Sequence, residues 1–286
     1  MTINILKTAK HNWYDYKELF PFIVLIGTGG TGGYVVQHIA QLLGTSKQKA
    51  AFVIADPDTI EPKNLGNQLF LENEVGLKKA DVLASRYSAA YGLDIGAYSD
   101  SFVEDTKQLR SLFSTEYMDT NINHSNTLIL PIVIGCVDNN FSRKIMYDFF
   151  KSTRCIYIDS GNESVTVPYD WRTRPQTQWT EEEHQAYKES GWSGQVVTGV
   201  NLNLFKQECI AEAFPDVLED DDEVRPSELS CTDLSASDPQ RLIVNKFAAL
   251  AITNILTQIV EEKSVGSHIT FFHAKRGYMR STDVKA

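Results

Sequence analysis

Short runs of consecutive apolar, often β-branched residues alternate along the first half of the chain with stretches whose apolar positions recur every three or four residues. Residues 22–27 (FIVLIG), 51–55 (AFVIA), 131–137 (PIVIGCV) and 155–158 (CIYI) are runs of the first kind. Each predicts a strand buried on both faces, since a strand with one wet face would alternate. Val35, Val36, Ile39, Leu42 and Leu43 form a helical stripe after the first run, and residues 78–91 and 141–150 have helical texture. A weaker strand is predicted over 94–102. Strand, helix, strand in this order predicts an α/β fold: a doubly wound, Rossmann-like, mostly parallel sheet with helices on both faces.

The texture changes after Gly161. Residues 164–193 hold Trp171, Trp179 and Trp192 among polar residues, which predicts an insertion packed over the sheet. Residues 194–201 return to a strand pattern, and the acidic run 219–223 (EDDDE) marks a solvated stretch. A long apolar helix is predicted from about 239 to 260, then a strand-like tail over 268–278 that makes an antiparallel extension. The whole chain, 1–286, therefore forms one domain in this reading. It has a nucleotide-binding core (20–161), a tryptophan-bearing insertion (162–193) and a C-terminal part (194–286) containing a mobile loop at 216–238.

Composition narrows the partners. With 286 residues, 42% hydrophobic and 22% charged, the chain is ordinary for a globular domain. Its formal net charge of -10 argues against nucleic acid, whose phosphates attract basic surfaces. The most apolar stretch, 242–260, is interrupted by Asn245, Lys246, Asn254 and Gln258, so no membrane span is expected. The N-terminus lacks the pattern of a secretory signal, and a cytoplasmic protein is expected. Cysteines at 136, 155, 209 and 231 lie far apart without CxxC spacing, which fits reduced thiols and gives no structural zinc motif.

The candidate chemistry begins at Gly27-Thr28-Gly29-Gly30-Thr31-Gly32-Gly33, between a strand and a helix. Glycines there permit a tight turn and let backbone N–H groups approach a phosphate at the positive end of the helix. Asp56, after the next strand, is placed to take ribose hydroxyls. By itself this pattern serves a mononucleotide or a dinucleotide equally well, and a nicotinamide-dependent oxidoreductase remains open.

The residues beyond Asp56 extend the pattern. ADPDTIEPKNLGNQLF, then EVGLKKAD, then GCVDNNFSRK together resemble the ThiF, MoeB and ubiquitin-activating family. That resemblance places Gly27, Gly29, Gly30, Gly32, Asp56, Asp58, Asn64, Asn67, Gln68, Lys79, Asp138, Asn139 and Arg143 at an ATP site. It implies that Asp56 takes the ribose, that Asn64 and Lys79 face phosphates, and that Asp138 holds Mg²⁺. It also implies a homodimer, and a substrate that is a ubiquitin-like or sulfur-carrier protein ending in glycine, activated by adenylation. The plain alternatives make Asn64 a turn former, Lys79 a surface residue and Asp138 a helix N-cap.

The second half resembles bacterial ThiF proteins of the PRTRC group through Asp159-Ser160-Gly161-Asn162 and Ser193-Gly194-Gln195-Val196, with 164–193 as an addition. Ser230-Cys231-Thr232 is similar to the segment that forms thioesters in ubiquitin-activating subunits, making Cys231 a candidate catalytic nucleophile beside Lys79 and Asp138. Cys209 is a second candidate, whereas Cys136 and Cys155 read as core residues. One departure matters: the family's arginine before the glutamine is Asn67 here, which admits a relative that binds nucleotide and carrier without turnover.

Overall fold

The computed structural model describes residues 2–10, 15–46, 48–114, 116, 126–219, 225–228 and 239–285. Eleven strands are described: β1 (Ile3–Asn4), β2 (Glu18–Ile26), β3 (Ala51–Ala55), β4 (Ile95–Tyr98), β5 (Thr127–Gly135), β6 (Cys155–Asn162), β7 (Ser193–Leu202), β8 (Phe205–Gln207), β9 (Ser264–Val265), β10 (Ser267–His273) and β11 (Tyr278–Asp283). The helices are α1 (Ile5–Thr8), α2 (Gly30–Thr45), α3 (Lys79–Tyr91), α4 (Thr106–Ser111), α5 (Asn140–Ser152), α6 (Glu181–Glu189), α7 (Ile210–Ala213), α8 (Asp216–Glu219) and α9 (Leu242–Thr257).

The main sheet runs β11-β10-β7-β6-β5-β2-β3-β4, with β8 paired to β7. Strands β6, β5, β2, β3 and β4 are mutually parallel, and β7, β10, β11 and β8 join antiparallel. β2 shows why the sheet is wound on both sides. Leu19, Ile23 and Leu25 pack with Val35, Val36 and Ile39 of α2, Leu83 of α3 and Ala248 and Ile252 of α9. The alternate residues Phe20, Phe22, Val24 and Ile26 pack with Leu109 of α4 and Met146, Phe149 and Phe150 of α5. Period-two side chains on a strand that is apolar from Leu19 to Ile26 thus feed two separate cores. Because β2 is flanked by β3 on one side and β5 on the other, the winding reverses between β2 and β5. The carboxyl ends of those strands open the crevice where such sheets bind ligands.

Several boundaries differ from the sequence reading. β5 spans Thr127–Gly135, so Asp138 stands three residues beyond the strand instead of at its tip. The 268–278 tail is not one strand but the hairpin β10–β11, turned by Ala274–Arg276 and by Gly277 at φ 67°. The predicted mobile loop 216–238 contains a helical turn, Asp216–Glu219, and a 3-10 turn, Pro226–Glu228, where the Ser227 N–H donates to Glu104 Oε1 at 2.8 Å. The apolar C-terminal helix begins at Leu242 and runs through a π turn to Glu262. By length and composition alone these 21 residues could cross a membrane, but more than half of their most apolar window is buried in the fold. In the insertion, Trp179 is buried beneath α6 against His184 and Tyr187, a packing role.

A buried ion pair ties the far side of the crevice together. Arg143 Nε donates to Asp159 Oδ1 at 3.0 Å, and its other nitrogens reach Asn140 Oδ1 and the carbonyls of Val137 and Ser160. Asp159 also accepts from the Tyr157 hydroxyl at 2.7 Å. Burial pushes the Asp159 carboxyl above the usual carboxylate range, against the pull of the Arg143 charge and the Tyr157 hydroxyl. Removing one member leaves the other buried and uncompensated. Arg143→Leu should therefore cost about 3–5 kcal/mol in chemical denaturation. Without the guanidinium the folded-state pKa of Asp159 rises further above its unfolded value, so part of that loss should be regained as the pH is lowered from neutrality.

Candidate nucleotide site

The glycine loop is set by collisions that only glycine avoids. Gly27 has φ 88°, and a Cβ there would stand 2.7 Å from the Cys136 carbonyl oxygen. A Cβ on Gly32 would strike the Gly27 carbonyl, so the first turn of α2 folds directly onto the end of β2. Gly29 is the N-cap of α2 and makes no side-chain cap. The first N–H groups of a four-turn helix are thereby left for an anion.

Asp56 is the hub of the site. It is 6% exposed, and its Oδ2 accepts both the Thr28 N–H and the Thr28 hydroxyl at 2.7 Å. Its Oδ1 accepts the Asp58 N–H at 2.9 Å. The carboxylate predicted to meet a ribose thus also fastens the glycine loop to the end of β3. Lys79 opens α3 with a side chain only 8% exposed, and its Nζ donates to Asp58 Oδ2 at 2.8 Å. Burial opposes its charge, but the carboxylates of Asp56, Asp58 and Glu61 outweigh burial and raise its pKa. Lys79 is therefore a buried cation held near the loop, not the exposed lysine of the plain reading.

The segment between them is built to present Gln68. Pro62–Gly66 forms a 3-10 turn in which Asn64 Oδ1 accepts the Glu61 N–H at 2.8 Å, and the Gln68 N–H donates to the Asn64 carbonyl at 2.9 Å. Asn64 is thus a turn former as well as a neighbour of the site. Gln68 Nε2 lies 3.8 Å from the Cβ position of Gly29, and its Oε1 is buried with no hydrogen-bond partner. A buried acceptor without a donor costs free energy until a ligand supplies one. Asn67 is exposed and caps the turn through its backbone only.

Across the crevice, Asp138 is exposed and forms no ion pair with a described residue. The cap of α5 is its neighbour Asn139, whose side chain accepts the Ser142 N–H at 2.8 Å. The cap predicted as the plain alternative for Asp138 is therefore filled by another residue. Arg143 turns away into the Asp159 pair described above, so it positions the β5–α5 turn. Among the described residues no cluster of three or more His, Cys, Asp or Glu could hold a metal. A lone free carboxylate still suits Mg²⁺, which keeps several waters and takes the rest of its shell from substrate phosphates.

Two further asparagines reach this site: Asn162, read from the sequence only as the end of a motif, and Asn245, which the sequence reading passed over. Asn245 of α9 is 1% exposed, and its side chain closes on Gly30. Its Oδ1 accepts from the Thr31 hydroxyl at 3.2 Å and from Asn162 Nδ2 at 2.8 Å, while Asn162 Nδ2 also donates to Thr31 at 3.0 Å. Asn162 Oδ1 is buried without a partner. The signal was present as a polar residue breaking an apolar helix, a position that periodicity reads as an interruption.

The cysteines separate cleanly. Cys155 and Cys209 are fully buried, and burial pushes the Cys136 and Cys155 thiols up and the Cys209 thiol to about 12. Cys209 packs against Gly199 at the start of α7, which removes it as an alternative nucleophile. Cys231 lies outside the described residues.

The ThiF family profile matches residues 17–286. No curated protein matches the chain by sequence. Solved structures with a similar fold include PaaA (TM-score 0.55, 14% identity, 93% of this chain and 65% of that one). They also include the microcin C7 biosynthetic enzyme MccB in complex with N-formylated MccA (0.57, 15%, 92% and 64%). A third is E. coli MccB with ATP (0.54, 14%, 92% and 63%). The chain spans less than two thirds of the length of these structures. The mostly parallel sheet, the glycine loop and the profile over nearly the whole length agree: this chain belongs to the ThiF family.

Proposed function

We propose that the protein adenylates the C-terminal carboxylate of a peptide or small carrier protein, of the ubiquitin-like or sulfur-carrier kind ending in glycine. The observation that carries the reading is the set of buried Asp56 and Lys79 bridged by Asp58 and joined to the open N-terminus of α2, with the free carboxylate of Asp138 on the opposite bank. The ATP held by a solved structure of similar fold supports the choice of nucleotide. A dinucleotide oxidoreductase has no use for a buried lysine beside its ribose carboxylate.

In this reading the substrate carboxylate oxygen attacks the α-phosphorus of ATP. A bond forms to that phosphorus as the bond to pyrophosphate breaks, giving acyl adenylate and pyrophosphate. Both reactants are anions, so the site must position them and offset their charge. Asp56 orients the ribose, the α2 N–H groups and Lys79 meet phosphate oxygens, and Lys79 exchanges Asp58 for the nucleotide when it binds. Mg²⁺ bound by Asp138 and phosphate oxygens would neutralise further charge. A homodimer formed through the sheet domain is part of this proposal, and light scattering showing a monomer at micromolar concentration would remove it.

Asp56→Ala should weaken ATP binding by calorimetry, and Asp138→Ala should abolish ATP–pyrophosphate exchange while leaving the fold intact. Tight NAD binding without a response to ATP would overturn the assignment. Asn245→Asp, which sets a carboxylate against Gly30, should weaken ATP by about tenfold, or ~1.4 kcal/mol.

Asn67 is exposed at the turn where relatives carry arginine. Asn67→Arg should accelerate exchange by about an order of magnitude if charge is limiting there. An unchanged rate with nucleotide still bound would mean that Lys79 and the helix end already suffice.

Since burial disarms the three described thiols, we assign any covalent step to Cys231, whose thiolate would displace AMP from the acyl adenylate to leave a thioester. Cys231→Ala should keep exchange and lose a thiol-sensitive adduct with the substrate. A persistent adduct in that variant would exclude Cys231.

A further inference from the structure

The insertion does more than pack. Between it and the first turn of α9 lies a cavity of about 410 Å³, lined among others by Val165, Tyr187, Trp192, Leu242, Ile243 and Lys246. Leu242 and Ile243 are 37% and 41% exposed, and Tyr187 and Trp192 also line the hollow. Arg241, also in the lining, stacks its guanidinium 4.0 Å from the Trp192 ring centre and 5.0 Å from that of Tyr187. Lys275 Nζ lies 5.4 Å from Trp192 on the rim.

Three cations gather at this corner. None of Arg241, Lys246 and Lys275 forms an ion pair with a described carboxylate. Glu163 Oε2 accepts the N–H groups of Trp192 and Ser193, and Glu189 accepts from Gln185, so neither of these carboxylates is paired with the three cations. Three cations that form no ion pair among the described residues, set around an apolar hollow, stand out in a chain of net charge -10. The hollow also lies beside the nucleotide site. Lys246 follows Asn245, whose side chain closes on Gly30, and Val165 comes three residues after Asn162.

We propose that this cavity seats an acidic, apolar segment of the polypeptide whose C-terminus is activated, a few residues upstream of the reacting carboxylate. The proposal rests on the adenylation reading for the partner's direction, and on the cavity itself for its chemistry. The side chains of Tyr187, Trp192, Leu242 and Ile243 line a seat for a large apolar side chain, while Arg241, Lys246 and Lys275 attract a neighbouring carboxylate. A phosphate or free nucleotide fits less well. Arg241 already donates to the Ser190 and Tyr187 carbonyls, so it offers charge without the paired N–H fork that grips phosphate.

The test uses short fluorescein-labelled peptides with C-terminal amides, which cannot be adenylated, so binding is read apart from chemistry. One carries adjacent Glu and Phe upstream of Gly-Gly, a second has Lys for the Glu, and a third has Ser for the Phe. Anisotropy with the full-length protein should show the Glu-Phe peptide binding about tenfold or more tighter than either other peptide. Lys246→Glu should remove or reverse the preference for Glu over Lys, and Trp192→Ala should remove the preference for Phe over Ser. ATP affinity by calorimetry should hold in Lys246→Glu, which also reports on folding. Equal binding of the three peptides, or a Glu preference that survives Lys246→Glu, would overturn the proposal. So would a loss of ATP affinity in Lys246→Glu matching the loss of peptide. Peptide discrimination, with no ATP–pyrophosphate exchange when the Glu-Phe peptide carries a free C-terminal carboxylate, would leave this docking site standing and remove the adenylation reading instead.

Discussion

The geometry of the candidate site hangs on one buried carboxylate. Asp56 leaves β3 and is met by two donors from Thr28 and one from Asp58, so the end of one strand is welded to the loop that ends its neighbour. A buried carboxylate is tolerable only when its lone pairs are filled, and here backbone geometry fills them. The same constraint fixes the direction of the glycine loop, the start of α2 and the position of Asp58. Asp58 in turn fixes Lys79. A nucleotide entering this crevice meets an arrangement already assembled by the needs of Asp56, and the ordering cost of binding is correspondingly small.

Much of this was legible from sequence. Apolar runs without alternation announced strands covered on both faces, and β2 feeding two cores is the direct consequence. Gly27 and Gly32 were legible because the collisions they avoid belong to the local strand–turn–helix path. A special place for Lys79 was legible only through the spacing of a family pattern, since nothing local distinguishes a buried lysine from a surface one. The tail was misread because His268–Tyr278 spans a hairpin turn whose Ala-Lys-Arg-Gly sequence carries only one strong turn former. Asn245 went unread for a different reason. Its partners Thr31 and Asn162 lie 214 and 83 residues away, and periodicity sees only neighbours on its own helix.

That distant contact joins two parts that sequence treats separately. α9 follows the segment containing Cys231, and its first turn borders the cavity under the insertion. Through Asn245 the same helix touches the first turn of α2. The cavity and the glycine loop thus both border one helix, and a shift of α9 would be felt at both.

The way the insertion is mounted has its own consequence. Asn162 of β6 stands directly opposite Gly194 of β7, and the Glu163 N–H donates to the Ser193 carbonyl at 2.9 Å. The excursion therefore leaves and re-enters the sheet at adjacent rungs, like a long arm grafted on a tight hairpin. Its two ends are held by the ladder whatever lies between them, and lengthening such an arm raises the closure entropy only logarithmically. The insertion can accordingly be rebuilt, shortened or exchanged while the strands that hold the glycine loop keep their register.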